Sequence, residues 1–579
     1  MSIIIHYEQG QLIRAEMPIA RSTPSPTFAC SDGQTFAVGD IWGTTFEEVS
    51  QTNWAHEPDQ LNNIEGAKAI VRADEDGCVF AVDMNGIDTF YYYCRNGRFV
   101  LSDSFWAVVR IVQPEYEDLD AAQIKMSLIS ASADGNGLIR GMKYLLPNHI
   151  GVYRAAEQSC EVRQYGERFH YSGEVTTVSE AVANMDQCLH HTMERIKEKC
   201  GKGPYGLGLS GGLDSRVIPY YALQHGLELR AFNTCICRPH GILKARNVKS
   251  SEALARFYQV PFKLNKWKKE TFSQKMDTCL KLFPEDPGGC PFKYEDSETG
   301  TFSSMLSGGS GMTVGSELPV GIAKMTEEEL FSAMVTEFFP SASRTNFIRA
   351  IRALSYITGI QLSWQEPKHR PPFSSVLDNT VWDSAKERLS QYIHERKANG
   401  YTNVDIYEDF FINVSGCHNR FGAHETLLGQ KHAFSIYIPF MLKETLRWDP
   451  LLLENRVVLN TLIREKIPGC ADIREESFKP SINKNPTFFE RIFSIAGFLL
   501  RGNGAAIDQH FMPRRDFMAK YLRYINEESG TWFKRVFDID HPITKGAAKK
   551  EMPRTNIRIW QTAMLLHCLE TKQYMEWEI

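Results

Sequence analysis

The chain has 579 residues, of which 43% are hydrophobic and 23% charged, and its formal net charge at pH 7 is −5. This composition is typical of a soluble globular protein with two or more domains, and the charge gives no general attraction to nucleic acid. No apolar run is long enough to cross a membrane, no signal peptide is evident, and the 13 cysteines lack metal-ligand spacing. We therefore expect a cytoplasmic protein with reduced thiols and with neither nucleic-acid nor membrane partners.

The first 171 residues carry short β-type runs that are separated by turn signals. The runs "TFYYYCR" and "RFVLSD" flank Asn96-Gly97, and both residues of this pair tolerate positive φ, which predicts a two-residue hairpin turn. Further runs of this kind are "AKAIVRA", "CVFAVDMNG" and "HIGVYRA". The pattern predicts mostly antiparallel sheet with some helix over residues 1–171.

The pattern changes near residue 172. Thr177 and Glu180 have capping-box spacing, and apolar residues then recur at helical intervals as far as Ile196. Strand and helix patterns alternate after that, through "YGLGLS", "RVIPYYALQHG", "LELRAFNTCI", "NVKSSEALARFYQV" and "PFKLNKW". This alternation predicts a parallel sheet with right-handed crossovers, with Pro219 in the first turn of its helix. Beyond about residue 320 we expect mostly helix.

One loop between a predicted strand and a predicted helix has the composition of an anion site. Gly211 and Gly212 allow close approach to a phosphate at the helix N-terminus, and Ser210 and Ser215 add hydroxyl donors. Asp214 would repel a phosphate unless it bound Mg²⁺. The chain has no GxxxxGK[ST] motif, so the transfer of a terminal phosphoryl group by a P-loop is not indicated. The alternative is a Gly-Gly turn with a Ser/Asp cap.

The run "SGGLDSR" resembles the pyrophosphate loop of the ATP pyrophosphatases, in the branch of asparagine synthetase, β-lactam synthetase and the lasso-peptide cyclases. Other segments similar to this superfamily are "GIDTFYYYCRNGRFVLSDS", "LIRGMKYLLPNHIGVYR", "LSGGSGMTVGS", "IYIPFMLKETLRW" and "LIREKIPGCADI". The resemblance implies an α+β, Ntn-like antiparallel-sheet domain at residues 1–171, of the class II glutamine amidotransferase kind. It also implies an α/β parallel-sheet PP-loop ATP pyrophosphatase domain with a large helical C-terminal part at residues 172–579.

The resemblance also implies a chemistry. Similar proteins bind ATP with Mg²⁺, adenylate a carboxylate with release of pyrophosphate, and let an amine open the acyl-adenylate to an amide. The expected partners are a small-molecule or peptide carboxylate and an amine, and the chain could form an oligomer. The implied cofactor-binding residues are Ser210, Gly211, Gly212, Asp214, Ser215, Arg216, Asn233, Gly308 and Gly309, with Asp214 as the Mg²⁺ ligand. A lysine near the α-phosphate is also implied, and the candidates for this catalytic role are Lys479 and Lys484.

Two departures from the family pattern bear on activity. Glutamine-dependent members carry a cysteine nucleophile directly after the initiator Met, whereas this chain has Ser2, a weaker nucleophile. Asn85-Gly86 is the only fragment of a glutamine-binding set, so we expect the glutaminase to be absent. The second Gly-rich loop has Met312 where relatives have an acid, with Glu317 five residues later as a substitute.

Three functions remain open at this stage. The first is an AMP-forming synthetase that joins a carboxylate to an amine, by cyclisation or between two molecules. The second is an asparagine-synthetase-like amidotransferase that uses ammonia or glutamine on aspartate or a sugar acid. The third is a nucleotide-binding scaffold without catalysis. A group of polar residues, His418, Arg420, His424 and Glu425, could face the substrate or form a polar helix surface.

Overall fold

The computed structural model describes about two thirds of the chain in separate ranges. These are residues 3–16, 28–31, 34–39, 41–66, 68–84, 86, 88–127, 134–165, 170–235, 246–266, 280, 302, 304–308, 318, 321–338, 376–410, 433–437, 440–474, 482–483, 487–490, 492, 526, 531–539 and 556–577. Within these ranges, no helix combines the length and apolar character that a bilayer crossing requires.

The N-terminal part contains two antiparallel sheets, as predicted. Its strands are β1 Ile4–Glu8, β2 Gln11–Glu16, β3 Phe28–Ser31, β4 Thr35–Gly39, β5 Lys68–Asp74, β6 Gly77–Val82, β7 Tyr91–Arg95, β8 Arg98–Ser102, β9 Met142–Tyr144, β10 His149–Arg154 and β11 Ser159–Gln164. One sheet has the order β2-β1-β8-β7-β9 and the other has the order β11-β10-β6-β5-β4-β3. Aromatic side chains of both sheets form one core, in which the Phe99 and Tyr153 rings stack 4.2 Å apart.

The predicted hairpin between β7 and β8 is confirmed. Asn96 and Gly97 have φ values of 54° and 75°, and Arg95 pairs with Arg98 across the turn. This is the left-handed backbone that Asn-Gly favours, and its twist matches that of the flanking strands. Four helices accompany these sheets: α1 Phe46–Gln51, α2 Gln60–Asn63, α3 Phe105–Val112 and α4 Ala121–Ser127.

A five-stranded parallel sheet follows, which confirms the second layout. Its elements in chain order are α5 Val178–Cys200, β12 Tyr205–Gly208, α6 Asp214–Gln224, β13 Leu229–Cys235, α7 Arg246–Phe257, β14 Phe262–Lys266, β15 Ser304–Ser307 and β16 Ala433–Ser435. The strand order is β14-β13-β12-β15-β16, and every pair is parallel. The sequence did not predict β16, which has three residues and pairs only with β15.

Two local predictions need correction. α6 begins at Asp214 rather than at Arg216, so Pro219 lies inside the helix and not in its first turn. The reason is that the last residues of the loop already have helical backbone. At the start of α5, the Thr177 hydroxyl accepts a hydrogen bond from the Glu180 backbone N–H at 3.3 Å, but the reciprocal half of a capping box is not formed.

Where the structure describes it, the C-terminal part is largely helical, as expected. Its helices are α8 Glu327–Phe338, α9 Val376–Ala398, α10 Met441–Thr445, α11 Val457–Lys466, α12 Pro468–Ala471, α13 Thr531–Val536 and α14 Asn556–Thr571. Helices α3 and α4 share a hydrophobic core with α8, α9, α13 and α14. Trp106 of α3, for example, stacks on Tyr574 just after α14, with 5.5 Å between the ring centroids. The N-terminal sheets are thus joined to the C-terminal helices by a common core.

A second contact joins the N-terminal part to the parallel-sheet part. The Glu65 carboxylate accepts hydrogen bonds from Arg195 at 2.6 Å and His191 at 3.0 Å, and both partners lie on α5. Trp42 packs beside it against the rings of Phe434 and Phe440, at 6.2 and 5.9 Å. The boundary predicted at residues 171/172 is not tested by these contacts and stays a prediction.

Candidate functional site

The parallel sheet has one point where the direction of winding reverses. From β12 the chain proceeds to β13 and β14 on one side, and then returns to β15 and β16 on the other side. The carboxyl ends of β12 and β15 therefore lie side by side, at the kind of place where open parallel sheets form a crevice. In open parallel sheets this switch point at the carboxyl ends of the strands is the usual ligand site. The loop predicted to bind phosphate follows β12, and Gly308 follows β15.

The loop after β12 is held by hydrogen bonds of its own. The Ser210 backbone N–H donates to Ser215 Oγ at 3.0 Å, and the Gly212 N–H donates to Ser210 Oγ at 3.1 Å. The two serine hydroxyls share a further hydrogen bond of 3.1 Å. Gly211 has a φ of +89°, which a side chain would make unfavourable. The loop is therefore shaped before any ligand arrives.

Side chains beneath the sheet edge fix the start of this loop. Asn233 Nδ2 donates to the Leu209 carbonyl at 2.5 Å, and Ser251 Oγ donates to the same oxygen at 2.6 Å. Asn233 Oδ1 is buried and accepts no hydrogen bond from the described part of the chain. The resemblance implied that Asn233 binds the cofactor, and the structure places its side chain within β13, where it holds the residue before the loop.

Asp214 lies where the two loops meet. A Cβ atom on Gly308 would fall 2.6 Å from Asp214 Cβ and 3.5 Å from Ile218 Cδ1. Such a short separation shows that the end of β15 touches the start of α6, and that only glycine fits there. Gly308, which was predicted to bind a cofactor, thus lies against the first residue of α6, and its role stays a prediction.

Two residues that the sequence did not single out complete the surroundings of Asp214. Arg456 Nη2 lies 3.6 Å from Asp214 Oδ2, and the buried Tyr437 hydroxyl lies beside the carboxylate without a well-formed hydrogen bond to it. Burial and the Asp214 charge together raise the pKa of Tyr437 well above its usual value, so the hydroxyl keeps its proton. Arg456 has a φ of 54° at the start of α11.

Buried polar atoms around this point lack partners within the described residues. They are Asp214 Oδ1, Arg456 Nε and the Tyr437 hydroxyl. Buried polar groups in folded proteins are almost always hydrogen-bonded, and exceptions need an explanation such as an absent ion or ligand. Two such groups beside an unpartnered carboxylate oxygen at a switch point make this place a candidate binding site. A carboxylate, a guanidinium and a hydroxyl there suit an anionic ligand that carries a cation.

The Arg216 guanidinium takes a different position from the one expected of a ligand contact. It is fully buried and donates to the carbonyls of Cys470 at 2.7 Å, Ile473 at 2.9 Å and Gly211 at 3.3 Å. In this arrangement it contacts the underside of the loop and not the crevice.

The remaining predicted site residues lie outside the described ranges. They are Ser2, Asn85, Gly309, Met312, Glu317, His418, Arg420, His424, Glu425, Lys479 and Lys484. Among the described residues, no group of three or more His, Cys, Asp and Glu could hold a metal ion.

No family model matches this chain, and no curated protein matches it. Among solved structures it is similar to glutamine phosphoribosylpyrophosphate (PRPP) amidotransferase from B. subtilis complexed with ADP and GMP, with 9% identity and a TM-score of 0.17 over 45% of this chain and 59% of that chain. It is likewise similar to a structure described as the allosteric regulatory enzyme of purine biosynthesis, with 9% identity and a TM-score of 0.17 over 45% of this chain and 58% of that one. The chain spans less than two thirds of either structure, and a TM-score of 0.17 is too low to argue a shared fold.

Proposed function

We propose that this chain is an ATP-dependent, AMP-forming synthetase that adenylates a substrate carboxylate and passes it to an amine. The observation that carries the proposal is the approach of Gly308 to Asp214, which brings two glycine-containing segments together at the switch point of a parallel sheet. The glycines admit a phosphate chain, and the acid within the loop calls for a metal. The absence of a Walker lysine from the loop favours cleavage between the α- and β-phosphates over transfer of the γ-phosphate.

The described residues fit distinct roles in this chemistry. The N–H groups and hydroxyls of the 210–215 loop would hold the pyrophosphate portion of ATP, at the N-terminus of α6. The unpartnered Oδ1 of Asp214 is suited to Mg²⁺, which would neutralise phosphate charge when bound. Arg456 is the described cation nearest to this carboxylate and would stabilise negative charge that develops on the departing pyrophosphate. Lys479 and Lys484 stay candidates for the same role.

The source of the amine follows from the N-terminal part. With Ser2 in place of a cysteine nucleophile, we propose that glutamine is not hydrolysed and that the N-terminal sheets serve as a degenerate amidotransferase-like domain. The amine would then be ammonia, a second molecule or another part of the same substrate. An assay of glutamine hydrolysis by the purified chain tests this part independently.

The main test is ATP–[³²P]pyrophosphate exchange with a panel of carboxylates, since exchange reports adenylation without knowledge of the amine. We expect Mg²⁺-dependent exchange with some member of the panel, and its loss by about 100-fold or more in Asp214→Asn, because a metal ligand is removed. Asp538→Asn is the matched control, since the Asp538 side chain is 71% exposed and pairs with Lys125 on α4, away from the loop. Mg²⁺–ATP binding without exchange on any carboxylate would contradict the proposal and favour the non-catalytic scaffold.

A further inference from the structure

Arg216 is an unusual residue to find directly after an anion-binding loop. Its side chain is fully buried, and no carboxylate in the described part of the chain pairs with it. We propose that Arg216 is a positioning residue that locks the Gly211–Gly212 peptide in its phosphate-binding orientation and ties the loop to the segment after α11. This role rests on the proposed function of the loop, because the orientation matters only if the loop binds phosphate.

Arg216 fixes the direction of one peptide group in the loop. The carbonyl of Gly211 accepts a hydrogen bond from Arg216 Nη2 at 3.3 Å, on the buried side of the loop. The carbonyl and N–H of a trans peptide point in opposite directions. The Gly212 N–H is therefore held away from Arg216, towards Ser210 Oγ, which accepts it at 3.1 Å. Gly-Gly peptides flip readily because neither residue has a Cβ, so the hydrogen bond from Arg216 to the carbonyl is what keeps this N–H on the side of the loop opposite to Arg216.

Arg216 also holds a second segment, through its other terminal nitrogen, Nη1. Nη1 donates to the carbonyls of Cys470 and Ile473, which lie at the end of α12 and just after it. The Cys470 carbonyl also accepts the Ile473 backbone N–H at 3.1 Å, so Arg216 adds a charged donor to a helix end that is already capped by its own backbone. The hydroxyl of Tyr258, the residue directly after α7, donates to the Arg216 carbonyl and so secures the arginine.

Residues 482 and 483 form hydrogen bonds back to this same segment. The Ile482 N–H donates to the Ala471 carbonyl at 3.0 Å, and the side chains of Asn483 and Asp472 form a 3.0 Å hydrogen bond. Both ends of the stretch 475–481 are therefore attached to α12, and α12 is attached through Arg216 to the phosphate loop. The candidate Lys479 lies within this stretch in the sequence, and Lys484 directly follows its closure.

A guanidinium is the side chain suited to this task. Its donors are arranged in a rigid planar fork, which reaches carbonyls in two directions, whereas a lysine ammonium is a single point on a flexible stem. A lysine at residue 216 would keep the buried charge and lose the bridge. Arg216→Lys therefore separates the two contributions, and Arg216→Met removes both.

Hydrogen–deuterium exchange of the full chain tests the bridge directly. In Arg216→Lys and Arg216→Met we expect peptides over residues 209–213 and 468–474 to exchange at least about tenfold faster than in the parent, because hydrogen bonds to a charged group are lost at both places. The matched control is Arg464→Met, since Arg464 is exposed and donates to the Ile482 carbonyl at 2.9 Å without touching the loop. It should leave the 209–213 peptide unchanged. If neither peptide or only one of them responds in Arg216→Lys, the bridge is refuted.

Calorimetric titration with inorganic pyrophosphate and Mg²⁺ tests the peptide lock. We expect affinity to fall by about tenfold in Arg216→Lys and to stay unchanged in Arg464→Met. Unchanged affinity in Arg216→Lys would overturn the lock even if the bridge is confirmed. Failure of the parent protein to bind pyrophosphate would instead refute the proposed function of the loop, and the exchange experiment would then decide the structural role of Arg216 alone.

Discussion

Gly308→Ala is the substitution whose effect the structure defines most closely. The added Cβ would lie 2.6 Å from Asp214 Cβ, whereas non-bonded carbon atoms prefer about 3.5–4.0 Å. The opposing atom is bonded directly to the backbone and cannot rotate away, so the end of β15 and the start of α6 must separate by about 1 Å. Overpacking of this kind costs about 1–3 kcal/mol of unfolding free energy, and a shift of about 1 Å in a catalytic group costs about 100-fold in rate.

The assay compares the thermal unfolding midpoint with the rate of ATP–pyrophosphate exchange. Gly469→Ala is the matched control, because its Cβ would meet a ring carbon of Phe257 at 2.8 Å, almost as closely. The Phe257 side chain is 42% exposed and can rotate outwards, so we expect a small change in stability and none in exchange. If Gly308→Ala keeps both its exchange rate and its unfolding midpoint, Gly308 does not contact Asp214, and the proposed arrangement of the site is refuted.

Three further predictions concern the scaffold. Burial raises the pKa of Glu65, but the hydrogen bonds from Arg195 and His191 outweigh burial and lower the pKa overall. The contact therefore stabilises the fold above the ordinary glutamate pKa and loses its effect as the pH falls below about 4.3. Glu65→Gln should cost about 1 kcal/mol of unfolding free energy at pH 7 and little at pH 3.5, measured by calorimetry. Lys68→Met would leave the Asp83 carboxylate buried without its ammonium partner, which lies 3.3 Å away, and should cost about 3–5 kcal/mol in urea unfolding. Thr177→Ala removes the N-cap of α5 and should cost about 1 kcal/mol, measured in the same way.

Local patterns in the sequence predicted the structure where the residues that determine it lie close together in the chain. Asn96-Gly97 specifies its hairpin because both residues adopt positive φ, and the loop at 210–215 is recognisable because its glycines and hydroxyls act within six residues. β16 was not predicted because a three-residue strand has no pattern of its own. It exists only through its register with β15, where Met305 pairs with Ala433 across 128 residues of sequence.

The candidate site shows the same division. Arg456 and Tyr437 lie more than 200 residues from Asp214 in the sequence, and neither has a motif that sets it apart from other arginines and tyrosines. The role of Arg216 depended on a fact that the sequence does not contain, namely that α12 packs beneath the loop and covers this face of α6. Helical periodicity places a residue on a face, but the neighbour of that face is decided by tertiary packing.

The pairing of Asp214 with Arg456 leads to a prediction about the metal. In the absence of ligand the two side chains partly neutralise each other at 3.6 Å, so Asp214 presents less negative charge to an approaching phosphate chain than an isolated acid would. Arg456→Met should raise the Mg²⁺ concentration required for half-maximal pyrophosphate binding, because more charge must then come from the metal. Asp214→Asn should instead strengthen the binding of pyrophosphate in the absence of metal, since it releases Arg456 to pair with pyrophosphate.

Titration of each variant with pyrophosphate in EDTA and in excess Mg²⁺ separates the two effects. If both substitutions weaken binding equally under both conditions, Arg456 and Asp214 do not exchange partners and their contact is only structural.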